Sequence, residues 1–412
     1  MATPTSASER IYTLDVIRGF ALLGIFIMNM PWFNTSFHAG KDGTRLWPDW
    51  WDRWTETAME VLFSGKFNSM FSMLFAIGFT IQLERLEARD SAHALTIYLR
   101  RIFWLFVFGA IHMCVFWTGD VLHVYALLGL LLLALRQAPE RLLWTLFALF
   151  LLGPLGLGIY RYLVFTPGVR DYIVATEHAW EASNNFAYGQ GSFLEALREH
   201  VRETRFYYTE PFALRGMILF YTQVGATMML GLIVGRRHLF QNAGNYLPQI
   251  ARVQWWSLGG GLAFGAVFGV WQATTTDPIS PTPWRLTAGV CYILCRILIM
   301  VFYVATIVRC VYNEKWRRRL APMAIAGRMP LTNYLMQTAI ATTLFYGWGL
   351  GLWGKVGHAL DLLLALVIFF GVQIPLSKWW LVRHELGPME WLWRRLTYGR
   401  ISKRAPARES PA

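Results

Sequence analysis

The sequence predicts an all-α fold: a polytopic integral membrane bundle of about ten transmembrane helices, with both termini cytoplasmic. Three observations carry this. Of the 412 residues, 55% are hydrophobic and only 15% charged, against roughly 25% charge in soluble domains. Apolar runs recur along the whole chain at close to the ~20 residues that cross a hydrocarbon core. Basic residues gather on alternate loops, as the positive-inside rule requires.

The ten runs lie at about 14–33, 60–83, 102–117, 121–135, 142–164, 212–234, 253–272, 288–310, 331–350 and 359–382. The first has too long an apolar core, and too bulky a "PWF" after it, for a cleaved signal. The third and fourth are short and joined only by "TGD", which reads as a tight helical hairpin. The glycine-rich "GWGLGLWGKVG" (347–357) reads as an irregular or re-entrant turn. Two outer segments exceed simple connectors: 34–59, rich in Trp, Gly and Asp and containing His38, and 165–211, partly helical in "SFLEALREHVRETRFYY". The expected organisation is a main bundle over 1–350, including the extracytoplasmic segment 165–211. A final span and a cytoplasmic amphipathic end follow over 351–400, then a disordered tail over 401–412.

With a cytoplasmic N-terminus, the inner segments hold 23 Lys and Arg and the outer ones 9, at similar total length. The net charge of +13 is then a record of topology and implies no nucleic-acid partner. Cys114, Cys291, Cys295 and Cys310 lie in or beside apolar segments, so neither a disulfide framework nor a metal site is expected. Arginine outnumbers lysine 32 to 6, which points to GC-rich genes and a bacterial inner (cytoplasmic) membrane.

An ionisable side chain inside a span costs at least ~2.5–3.5 kcal/mol unless compensated, so each one raises a question. Asp15 and Arg18 are three apart on one helix face and can pair, with Thr13 placed to cap the helix. Either Arg18 snorkels to the cytoplasmic headgroups or the pair faces the bundle interior. Asn29 sits near the outer end of that helix. Lys66 and Asn68 lie about two turns in from the outer surface, where Lys66 could snorkel. His112 is five residues from the helix end at Trp117, about 8 Å of rise, and there a neutral imidazole could serve as a general base. Asp120 is placed to cap the next helix, with His123 one turn on. Arg215 is notable near the outer start of a span, and mid-span Arg296 requires a partner that the pattern does not name. Thr332, Asn333, Gln337 and Thr338 read as helix-joining residues.

Five stretches in order resemble the YeiB-like family of bacterial membrane proteins: "LDVIRGFALLGIFIMNM", "FSGKFNSMFSMLFAIGF", "RRIFWLFVFGAIHMCVFWTGDVLHVYALLGLL", "GRMPLTNYLMQT" and "GPMEWLWRRLTYGR". The opening also resembles that of the lysosomal enzyme that acetylates heparan glucosamine from cytosolic acetyl-CoA. The resemblance implies a transmembrane acyltransferase of the heparan-glucosaminide N-acetyltransferase type. Acyl-CoA would enter from the cytoplasm as co-substrate, and a polar acceptor such as an envelope glycan from outside. His38 is the nearest counterpart of the lysosomal enzyme's histidine; His112, in the "GxxH…GD" pattern, is the favoured base for this branch. Asp15, Arg18, Asn29, Lys66, Asp120 and Asn333 are the candidate substrate residues. Arg100, Arg101 and Arg328, with Arg317 and Arg318, are the candidates for CoA phosphates. Two other readings stay open: a secondary transporter of a small polar solute, and a non-catalytic membrane partner. The bilayer is the expected partner, and a homodimer is compatible with the pattern.

Overall fold

The computed structural model describes residues 11–89 and 92–399; the expected disordered tail lies outside them. Every regular element among the described residues is helical. All ten expected runs contain helix, with 60–83 interrupted at 63–65 and 331–350 leaving its helix at Phe345. Seven stretches are long and apolar enough to cross a bilayer. Of the remaining three, one is a short apolar helix and the other two are shorter or less apolar.

α1 (Tyr12–Asn34) is the hub. It is hydrophobic all round, the mark of a helix surrounded by others. Its N-cap is Ile11 and no side chain caps it, so Thr13 lies inside the helix and does not hold the capping role expected of it. α2 (Trp50–Leu62) is amphipathic, with Trp50, Trp51 and Trp54 strongly exposed, as suits aromatic rings at a membrane boundary. The expected span at 60–83 is therefore broken, and its membrane helix is α3 (Lys66–Arg89). Gly65 makes the break: it has φ +71°, and a Cβ there would meet Arg296 Cδ at 2.7 Å. A side-chain-bearing residue is disfavoured on both counts.

α4 (Ala94–Ile111) continues into a π-helical turn, His112–Phe116, and after the "TGD" tip the chain returns as α5 (Leu122–Ala134). This is the expected hairpin. At 1.5 Å per residue, α5 spans only about 20 Å, less than a ~30 Å hydrocarbon core, whereas the arm before it, Ala94–Phe116, is long enough to cross one. α6 (Glu140–Val164) runs out along the lipid-facing side. The 165–211 segment forms a helical pair, α7 (Pro167–Gly189) and α8 (Phe193–Thr209). Thr166 caps α7, and a Ser192–Glu195 capping box starts α8. α8 packs over the π-turn, closing the hairpin tip from outside.

α9 (Pro211–Arg236), α10 (Leu247–Thr274) and α11 (Pro283–Val311) complete the middle of the bundle. The short α12 (Glu314–Arg319) and α13 (Ala321–Gly327) lead into α14 (Pro330–Phe345). Residues 346–357 form the irregular turn expected there. Asn34 holds it, donating to Val356 O at 2.7 Å and accepting from Gly354 N at 3.1 Å. The last span is α15 (His358–Ile368), a π-turn (Phe369–Gln373) and α16 (Ile374–Arg383); the amphipathic α17 (Pro388–Tyr398) follows.

The C-terminal third is built onto α1. Gly327 approaches it so closely that a Cβ would lie 1.9 Å from Asp15 O. Gly327→Ala should therefore force α13 off α1 and cost on the order of 1–3 kcal/mol. Thermal melting in detergent should show a clear drop, whereas Gly153→Ala, where a Cβ meets nothing within 4 Å, should leave the midpoint within a degree or two of wild type.

Candidate functional site

Two cavities enter the bundle from opposite faces. The inner one, about 370 Å³, opens on the arginine-rich face. Arg18, Arg85, Arg101, Arg328 and Arg394 line it, against the carboxylates of Asp15 and Glu390. Arg18 Nη1 donates to Asp15 Oδ1 at 2.8 Å, so the pair faces a cavity inside the protein. Arg101 stacks on Trp393 at 3.7 Å, and Trp393 Nε1 donates to Arg101 O. Glu390 accepts from Leu331 N and Thr332 N, which caps α14.

The outer cavity, about 960 Å³, is lined by residues from most of the extracytoplasmic elements, among them Asn29, His38, Asn68, Asp120, Glu177 and Tyr207. Ile25, Val121 and Tyr334 line both cavities. They form the partition between the two cavities. The Tyr334 hydroxyl is buried beside the Val121 backbone without a well-formed hydrogen bond.

Against this partition lies a fully buried polar chain. Asp120 Oδ1 faces His112 Nδ1 at 2.9 Å; Oδ2 accepts from His123 N at 3.0 Å and faces His123 Nδ1 at 2.8 Å. Burial alone would raise the Asp120 carboxyl, but hydrogen bonds from the two imidazoles pull it down to about 2. An ionised carboxylate only accepts, so both Nδ1 atoms carry protons. The far nitrogens each face a hydroxyl: His112 Nε2 lies 2.9 Å from Thr338 Oγ1, and His123 Nε2 2.6 Å from Tyr208 OH. His112 is 2% exposed and lies one layer behind the cavity wall, its ring 5.2 Å from that of Tyr334.

His38 does reach the outer cavity. Its Nδ1 is 2.5 Å from Glu177 Oε2 and its Nε2 3.1 Å from Glu203 Oε1, and its ring stacks between Trp180 and Tyr207. Burial would lower the imidazole's pKa, but the two carboxylates outweigh it and hold the pKa above its ordinary 6.5. Glu203 also accepts from Thr118, Tyr188 and Asn184. Neighbouring His200 is buried, with Nδ1 facing the Thr118 and Tyr188 hydroxyls; burial outweighs the pull of Glu203 and lowers it to about 4, so it is neutral. The three-residue tip thus joins two networks, Thr118 to the extracytoplasmic helices and Asp120 to the membrane hairpin.

The remaining candidates are distributed as follows. Asn29 is half-buried on the outer cavity wall, and its side chain makes no hydrogen bond among the described residues. Lys66 is fully buried; it donates to Glu60 O at 2.7 Å, does not snorkel, and lines neither cavity. Asn333 lies outside both cavities as a clasp, donating to Ala326 O and bonding Ser377 on α16. Arg101 and Arg328 line the inner cavity; Arg100 is exposed and donates to Leu396 O. Arg296 is 1% exposed, with Nε and Nη1 lacking hydrogen bonds among the described residues.

Pattern reading missed Glu177, Glu203 and Thr118. One signal was present: Ala196, Glu199, His200 and Glu203, the buried residues of α8, fall at i, i+3, i+4 and i+7. That is the spacing of a packed face, occupied here largely by titratable groups. Glu177 carries no such mark.

These features define a polytopic helical membrane protein with opposed cavities and a buried polar layer between them. The chain belongs to the YeiB-like family. It is 30% identical to "Uncharacterized protein YeiB" of Escherichia coli K12, over 94% of this chain and 96% of that one. It is also 29% identical to "Uncharacterized protein YxaH" of Bacillus subtilis 168, over 96% of each. Residues 234–400 match the family model described as "Protein of unknown function (DUF418)". No solved structure matches the chain significantly.

Two outcomes are expected. Asp120→Ala strands two buried histidines and should cost on the order of 3–5 kcal/mol in melting experiments, with Asp120→Asn intermediate. His38, with its raised pKa, stabilises the fold fully below about pH 6.5, and that contribution is lost as pH rises through the elevated value. Wild-type melting temperature should fall over that rise, and His38→Gln should remove this component of the slope.

Proposed function

We propose that the chain transfers an acyl group from cytosolic acyl-CoA to an extracytoplasmic polar acceptor, such as an envelope glycan, in the bacterial inner membrane. The supporting observation is the pair of cavities that share Ile25, Val121 and Tyr334. A donor held on one side and an acceptor on the other would meet at that partition without either molecule crossing.

In this reading the inner arginines, Arg101 and Arg328 among them, hold CoA phosphates, and the aromatic wall accepts the base. The thioester carbonyl lies at the partition. The acceptor's hydroxyl or amine attacks it, its proton passes to a base, and the thiolate leaves to be protonated as free CoA. His38 suits the base better than His112, because it reaches the acceptor's cavity. An acceptor group that displaces Glu177 from Nδ1 would face an imidazole whose charged form Glu203 stabilises. Asn29 and the Tyr334 hydroxyl are available to donate to the developing oxyanion. His112 acts through Asp120 as a positioning residue.

A transporter would also present cavities on both sides of a thin partition. The two readings separate on one assay with the protein in nanodiscs. Acyl-CoA should bind, and Arg101→Gln with Arg328→Gln should weaken it. His38→Ala should leave that binding intact while lowering transfer to a glycan acceptor by ~10²–10⁴-fold. Solute uptake independent of acyl-CoA, with no acyl-CoA binding, would replace this proposal.

A further inference from the structure

Three arginines from three helices converge on the outer cavity. Arg161 lies three residues before the end of α6, Arg215 is the fifth residue of α9, and Arg285 is the third of α11. All three line the cavity, and each feels the charge of at least one of the others. Arg215 and Arg285 also sit at helix N-termini, where the helix dipole already carries positive charge and disfavours a cation. Such an arrangement opposes folding unless something negative compensates it.

The protein's own acids do so only in part: Asp277 attracts Arg161 and Arg285, but it is shared with other donors. The two carboxylates on the cavity wall are committed, Asp120 to His112 and His123 and Glu177 to His38. Nearby Asp277 accepts from Arg170 Nε, Ser280 Oγ and the backbone N–H groups of Ile279 and Ser280. Arg161 donates to Ile279 O. Arg215 Nε and Arg285 Nη1 are buried with no hydrogen-bond partner among the described residues. A buried charged donor left unpaired is costly, and guanidinium forks match the oxygens of a phosphate.

The cavity also opens sideways. Tyr160, Val164 and Val169 line it, yet are 63%, 50% and 43% exposed on the outside of the bundle. A ligand could enter from the outer leaflet with its apolar part still in lipid.

We infer that Arg161, Arg215 and Arg285 form a binding site for a phosphate-type oxyanion in the outer cavity, borne by a lipid headgroup or by a soluble phosphorylated molecule. If the acyl-transfer reading holds, the inference rests on it for one further step: this anion is a group on the acceptor, and the acceptor is phosphorylated.

The test uses full-length protein in detergent without acyl-CoA, so its result is independent of whether the inner cavity binds a donor. Thermal melting is followed while titrating inorganic phosphate, then phosphatidic acid, with diacylglycerol as the phosphate-free control. Phosphate or phosphatidic acid should raise the wild-type midpoint and diacylglycerol should not. In the Arg215→Gln/Arg285→Gln double variant, half-maximal stabilisation should need roughly tenfold or more ligand. Its ligand-free midpoint should equal or exceed wild type, since like-charge repulsion is relieved. Should the double variant not fold, Arg285→Lys, which keeps the charge and loses the fork, should give the same direction of change. A response to inorganic phosphate supports a soluble ligand, and a response to phosphatidic acid alone supports a headgroup. No response from wild type, or equal responses from wild type and variants, would overturn the site.

Discussion

An ionised carboxylate placed inside a membrane protein must be surrounded by donors, and Asp120 organises the molecule on those terms. It sits at the tip of the α4–α5 hairpin, its side chain buried on the wall of the outer cavity. Its two oxygens take two imidazoles and a backbone N–H. Those imidazoles in turn fix Thr338 on α14 and Tyr208 on α8. One charge thereby ties the hairpin to the C-terminal helices and to the extracytoplasmic cap. The cap packs over it and keeps the polar layer buried, and hydrogen bonds in such a setting are stronger than in water.

What the sequence makes legible here is whatever hydrophobic length and local spacing encode. The ten runs, the "TGD" hairpin, the Asp15–Arg18 pair and the irregular turn at 347–357 are of that kind. Gly65 escaped because the apolar pattern runs through it; only its positive φ, forced by close packing against Arg296, splits the helix. The pairs that build the outer site escaped for a different reason. His38 meets Glu177 and Glu203 across 139 and 165 residues, and no periodicity within one helix reports a partner on another. Arg161 carries no partner signal in its own helix. Its meaning comes from Arg215 and Arg285, which share its cavity only after folding.

The two π-turns show how local irregularity serves the interior. In the α4–α5 hairpin the wide turn begins at His112, and in the last span it ends at Gln373, which donates to Asn333 O and accepts from Gln337. Each carries a buried polar side chain toward α14. Such turns are common where a helix must aim a functional or clasping group, and the first lies beside the partition, with His112 5.2 Å from Tyr334.

The position of α1 has a consequence for biogenesis. It precedes the other described spans, yet Asn34 finds its partners at Val356 and Asp361, more than three hundred residues later, and Gly327 packs closely against it. Domains generally form N-terminal first during synthesis, but this hub cannot. It must wait in the lipid with its carboxylate, guanidinium and amide only partly compensated until the final spans insert. A nascent chain arrested before α13 would expose an uncovered polar stripe, a ready degron for membrane proteases that clear unfinished products.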